Sequence, residues 1–252
     1  MKNKFLAVDV GSSFVKFAFF KGDDICSVNR VEKDQLQQFF LTHQEDWNGV
    51  ESAVASVSPS LHALLEQELF QQTSIKPHFL HFQDLNLELC VEEPENVGID
   101  RILNCVAGRN LYRENLIILD LGTATTIDVV TNTNQFSGGM ILPGVDTFKN
   151  SLFQNTEQLW QHKDDILDQA ELPPNYLGKD TYEAIHAGVV GGYFSMIEGL
   201  LKKLKKELTD EYRVIATGGG LSRLNIKDLV SEIRPNLSLE GIKVAFDSMN
   251  KH

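Results

Sequence analysis

Asp120-Leu121-Gly122-Thr123-Ala124-Thr125-Thr126 breaks a run of β-forming residues, with NLIILDL leading into it and TTIDVVT leading out. A shorter relative, Asp9-Val10-Gly11-Ser12-Ser13, stands about 110 residues earlier, between KFLAVDV and SFVKFAFFK. Glycine permits a tight hairpin whose backbone N–H groups can approach a phosphate with no Cβ in the way. Ser and Thr add hydroxyl donors, and an aspartate at a strand end can hold a cation or its water shell. One such turn alone reads as an ordinary hairpin. Two in matching positions, with Thr217-Gly218-Gly219-Gly220 closing a third apolar strand (YRVIATGG), read as phosphate turns on a duplicated scaffold.

Working outward, the first half reads as strands KFLAVDV, SFVKFAFFK and DICSVNRV, a helix over about Lys33 to Leu41, and the strand ESAVASV. Ser58-Pro59 opens the helix HALLEQELF, with serine as cap and proline in its first turn. A helix RILNCVAGRNLY follows Gly98-Ile99-Asp100. The second half repeats strand–turn–strand, adds QFSGGMIL, a long helix from about Asp180 to Leu208, the strand before Gly218, and a C-terminal helix. No Pro-, Gly- or Ser-rich linker separates the halves, so the predicted division is 1–115 and 116–252, two lobes with a cleft between them.

The 252 residues suffice for a sizeable core, and the net charge of −12 repels phosphate backbones, so nucleic acid is not an expected partner. The run Lys202, Lys203, Lys205, Lys206 reads as a solvated helix end whose cations offset the dipole. With no run of eighteen apolar residues and no signal-like start in MKNKFLAVDVGSSFVK, the expected location is cytoplasmic and no membrane span is predicted. Cys26, Cys90 and Cys105 are widely spaced, consistent with reduced thiols and not a zinc site. His78 and His81 form an HxxH in a predicted strand, without the acidic or Cys company that metal binding needs. There is no GxxxxGK[ST], so a P-loop kinase is not supported.

Further motifs narrow the reading. Pro94-x-x-Val97-Gly98-Ile99-Asp100-Arg101, Asp120 through Asp128, Gly138-Gly139-Met140-Ile141-Leu142-Pro143-Gly144, Thr181-x-x-Ala184-Ile185-x-x-Gly188 and Leu239-Glu240-Gly241 occur in order. Together with the first turn they resemble the signatures of the type III pantothenate kinases, within the actin-like ATPase and sugar-kinase superfamily. The resemblance implies an α/β, two-lobed ribonuclease H-like fold, with duplicated mixed sheets flanked by helices and an interlobe nucleotide cleft. It also implies ATP-dependent phosphorylation of the primary hydroxyl of pantothenate, with Mg2+ accompanying ATP.

By the same resemblance, Asp9, Val10, Gly11, Ser12, Ser13, Phe14, Val15 and Lys16 form the first ATP loop, and Thr123 contacts ATP. Asp100 is the general base, and Gly98, Ile99, Asp100 and Arg101 hold pantothenate, with Arg101 suited to clamp its carboxylate. Asp120 is the ligand of a monovalent cation, K+ or NH4+, and Thr181 reaches pantothenate across a homodimer interface. Departures from the family pattern are Ser12 for Asn, Val91 for a substrate-contacting Tyr, Glu93 for Asn, and Thr156-Glu157-Gln158-Leu159-Trp160 for T-A-x-L-P. Two other readings use the same scaffold: a kinase of another hydroxylated metabolite, and a non-catalytic regulator.

Overall fold

A computed structural model of the chain describes residues 4–43, 46–154, 156, 159, 166 and 171–250. The departures at Glu157, Gln158 and Trp160, and the first residues Met1 to Asn3, lie outside the described residues.

The first turn is a hairpin. β1 (Lys4–Val10) and β2 (Phe14–Lys21) pair antiparallel with Val10 opposite Val15, and the Gly11 N–H donates to the Phe14 carbonyl at 3.0 Å. β3 (Asp24–Glu32) continues the meander beside β2, and β4 (Glu51–Ser56) lies parallel to β1 on its other side. A short β5 (His78–Phe79) completes the order β3-β2-β1-β4-β5. Side chains alternate across this sheet. Leu6, Val8 and Val10 face a core with Leu36 and Phe40 of α1 (Leu36–Thr42), and Leu65 and Leu69 of α2 (His62–Thr73). Phe5, Ala7 and Asp9 take the opposite face, where the Phe5 ring stacks on Phe246 of α7 (Leu237–Met249) at 4.7 Å. Ser58 does not cap α2 with its side chain. Its hydroxyl accepts a hydrogen bond from Lys33 Nζ at 2.5 Å, and Pro59–Leu61 form a 3-10 turn ahead of the helix.

The second turn repeats the arrangement. β7 (Asn115–Leu121) pairs antiparallel with β8 (Ala124–Val130), with Leu121 opposite Thr125, and β10 (Tyr212–Thr217) lies parallel to β7. Each half therefore has a hairpin bearing an aspartate at the end of its first strand, and a parallel strand beside that first strand. β9 (Gln135–Pro143) and β11 (Glu232–Ile233) extend the second sheet to β11-β10-β7-β8-β9, and the first residues of β9 pair with β6 (Glu88–Leu89). Ile117, Leu119, Ile127, Val214 and Ala216 form a core with Ile185, Tyr193, Ile197 and Leu201.

Those last four residues lie on one helical run, α5 (Thr181–His186), a π-helical segment (Ala187–Gly191) and α6 (Gly192–Glu207). At 27 residues it is long and apolar enough to cross a membrane, although polar and charged residues interrupt its apolar run. Here its apolar stripe packs in the second core. Asp180 caps its start, accepting from the Glu183 N–H at 2.8 Å.

The chain folds as two compact units. One comprises Met1–Tyr112, Asn134–Phe136 and Asn236–His252, the other Arg113–Thr133 and Ser137–Pro235. This differs from a contiguous split at 115. α3 (Ile99–Leu111) and α7 pack so closely that a Cβ on Gly241 would stand 2.1 Å from the Leu103 carbonyl oxygen, which ties the C-terminal helix to the first unit.

Candidate active site

In the first unit, Asp9 ends β1 with only 7% of its surface exposed. Its Oδ2 accepts a hydrogen bond from Ser238 Oγ at 2.7 Å and lies 3.8 Å from Lys16 Nζ, its partner across the hairpin. The turn itself offers Ser12, exposed, and Ser13 and Phe14, half-buried. Val10 and Val15 are core residues, so anything they give a ligand comes from their backbone.

Asp100 occupies the first turn of α3 on the same unit. Gly98 precedes the helix, and a Cβ there would sit 2.5 Å from Asp100 Oδ1, so glycine leaves the carboxylate room. Burial, and then the neighbouring Asp9 carboxylate, push the Asp100 pKa up. The Arg101 N–H, donating to Oδ1 at 2.9 Å, and the Arg101 guanidinium oppose that rise without cancelling it. Ile99 is buried beneath the turn. Beside Gly98 lies a cavity of about 300 Å3 lined by Ser56, Val57, His62, Phe79 and Val97 among others; the buried His62 Nε2 has no hydrogen-bond partner among the described residues.

The Arg101 guanidinium sits 5.4 Å above the Phe136 ring. The Cys90 N–H donates to the Phe136 carbonyl at 2.9 Å, so the segment leading into Val91 is anchored on the residue over which Arg101 stacks. Val91 is half-buried. Glu93 is turned onto its own loop, accepting from Asn96 Nδ2 at 2.6 Å.

In the second unit, Asp120 and Thr123 sit at the β7–β8 turn. The Thr123 carbonyl accepts from Gly144 N–H and from Thr147 Oγ1, each at 3.0 Å. Gly218, at φ +98°, approaches so closely that a Cβ would lie 2.4 Å from Asp120 Oδ1 and 2.6 Å from the Leu121 carbonyl oxygen. Gly218 thus packs its backbone against the Asp120 carboxylate, while Gly144 packs on the turn beside it, where a Cβ would lie 2.2 Å from the Gly122 carbonyl oxygen. Among the described residues there is no cluster of three His, Cys, Asp or Glu side chains. Thr181 is exposed at the start of α5, on the rim of an apolar cavity of about 850 Å3 with Phe148, Leu152, Ala184 and Gly188. The HxxH pair does have an acid nearby. Asp84 lies 3.5 Å from His78 Nε2, but its carboxylate also accepts the His81 N–H in a local cap.

A family model described as type III pantothenate kinase matches residues 5–203. The chain belongs to the type III pantothenate kinase family. It is 32% identical to type III pantothenate kinase 1 of Francisella tularensis subsp. tularensis strain SCHU S4, covering 98% of each chain. In fold it is similar to a Campylobacter jejuni protein described as a Baf family transcriptional activator (TM-score 0.62, 19% identity, 98% of this chain and 100% of the other). It is also similar to MreB 5 of Spiroplasma citri bound to AMPPNP (TM-score 0.57, 12% identity, 100% and 98%). The architecture is that of the actin-like ATPases and sugar kinases.

Two residues that matter to this pantothenate kinase's site were not singled out in the sequence. Ser238 is a plain helix serine until α7 is placed against β1, and Phe136 reads as an ordinary strand aromatic until Arg101 is seen above it. The Leu239-Glu240-Gly241 motif stands beside Ser238, but as a family signature it carries no mark of the serine's partner.

Proposed function

We propose that this kinase transfers the γ-phosphoryl group of ATP to the primary hydroxyl of pantothenate, giving 4'-phosphopantothenate and ADP, with Asp100 as the general base. The reaction is the first step of coenzyme A biosynthesis. The observation that carries the assignment of the base is the Asp100 carboxylate, half-buried beside Asp9, with its pKa raised towards the working range of a base. The hydroxyl oxygen bonds to the γ-phosphorus as the bond to the β–γ bridging oxygen breaks, and Asp100 accepts the hydroxyl proton. Phosphoryl transfer otherwise asks for positioning and charge neutralisation. We assign those tasks to the Asp9–Lys16 turn for ATP, to Gly98, Ile99 and Arg101 for the acceptor, and to Thr123 for the nucleotide. Mg2+ enters with ATP.

Asp120 would hold a monovalent cation, K+ or NH4+, whose charge offsets repulsion between carboxylate and phosphate when bound. The homodimer remains part of this reading. It is supported by the exposed apolar Ile141, Tyr176 and Leu177 and by the apolar trough beside Thr181. Sedimentation at micromolar concentration tests it, and a monomer alone would refute it.

The deciding experiment is a coupled assay of purified protein with ATP, Mg2+, K+ and a panel of hydroxylated acceptors. Turnover selective for pantothenate, lost in Asp100→Asn, is expected. Turnover of a different acceptor alone would point to another metabolite kinase, and none at all to a non-catalytic protein.

A further inference from the structure

We propose that Arg30 is a phosphate ligand of the nucleotide, acting beside Lys16 on the first unit's sheet. The inference rests on the ATP-dependent reading above.

Strand register places the residue. Asp9 is opposite Lys16 across β1 and β2, and Lys16 is opposite Arg30 across β2 and β3. Directly opposed residues project to the same face, so Asp9, Lys16 and Arg30 form one transverse row. That face also carries Ser238 and Phe246 of α7, and α7 packs on the helix that bears Asp100. The base and the row of cations therefore share a side of the sheet.

Two cations directly opposed across a strand pair repel unless an anion joins them. Lys16 has Asp9 at 3.8 Å. Arg30 is exposed and makes no ion pair among the described residues. Its guanidinium carbon instead sits 3.6 Å over the Phe14 ring. Phe14 lies two residues from Lys16 on the same strand face, at the mouth of the Gly11–Phe14 turn. The ring thus draws the Arg30 head along the diagonal towards the turn proposed to take the phosphates. Stacking engages the guanidinium face and leaves its in-plane N–H donors unspent, the fork that matches phosphate oxygens. In a chain of net charge −12, a polyphosphate needs such a local concentration of cations.

Calorimetric titration with ATP, AMP and inorganic tripolyphosphate tests this on the wild type, Arg30→Gln and Arg30→Lys, with Tm measured alongside. Arg30→Gln should weaken ATP and tripolyphosphate by about 10- to 100-fold while AMP changes little and Tm is kept. Arg30→Lys should recover part of the loss. ATP and tripolyphosphate affinities within about twofold of wild type, or an equal loss for AMP, would overturn the proposal. If wild type binds neither ATP nor tripolyphosphate, the kinase reading falls with it. If wild type binds ATP and Arg30→Gln binds it equally well, this inference alone is wrong.

Discussion

Asp9 and Ser238, 229 positions apart in the chain, are joined by a 2.7 Å hydrogen bond, buried where β1 meets the start of α7. A carboxylate so deep in the fold depends on its donors. Ser238→Ala leaves Asp9 with Lys16 at 3.8 Å as its other polar neighbour in this row. The expected cost is about 1.5–3 kcal/mol, the range for a hydrogen bond to a charged group. Urea denaturation reads it directly, and an unchanged midpoint would show that the bond contributes nothing.

Asp100→Asn should lower turnover by about 10²–10⁴, the usual contribution of a general base. The same change should raise stability at neutral pH. Because burial and Asp9 raise the folded pKa, the native state holds its proton to higher pH than the unfolded chain. Stability from this group is therefore fully present below the unfolded pKa and is lost as pH rises through the folded one. Asparagine escapes that loss, so its Tm advantage should appear at neutral pH and vanish in acid. A variant less stable than wild type at pH 7 contradicts the argument.

Gly241→Ala should destabilise by about 1–3 kcal/mol, as overpacking does, since its Cβ would meet the Leu103 carbonyl at 2.1 Å. Because α3 carries Asp100, kcat should fall as well. A well-folded variant with normal kcat would mean that the two helices separate without disturbing the base.

Activity should require potassium or ammonium, with sodium a poor substitute. Gly218→Ala presses a Cβ to 2.4 Å from Asp120 Oδ1 at φ +98°, so it should blunt that dependence along with activity. Titrating K+ against rate for both proteins checks this; equal rates of the wild type in sodium alone would sink the cation assignment.

Val91→Tyr should lower KM for pantothenate about 5- to 30-fold with kcat little changed, if Val91 stands where an aromatic wall and a hydroxyl serve binding. Glu93 accepts from Asn96 through Oε2, which directs its carboxylate onto its own loop. An unchanged or higher KM means that the pocket is built otherwise.

The duplicated hairpins were legible because their signal is local: alternation into a glycine turn, an aspartate at the strand end, and a second strand. The registers Val10–Val15 and Leu121–Thr125 follow from that pattern. The helices at Ile99 and Thr181 were legible for the same reason. What stayed hidden depends on residues distant in sequence. Nothing near Ser58 tells that Lys33 will take its hydroxyl, and nothing near Asn236 tells that the helix after it joins β1 and α3. The π-helical segment at Ala187–Gly191 likewise has no short-range mark beyond its small residues.

The attachment of α7 to the first unit also sets an order of assembly. The ribosome releases β1 early and α7 only after every strand of the second unit, so the second unit can be complete while the first still lacks a wall. Until then the Phe5 face is uncovered and Asp9 has no serine. Closing so long a loop adds little entropy per added residue but must precede the contacts that reward it, which slows folding. The nascent chain should therefore carry an apolar, half-built first unit throughout synthesis of the second.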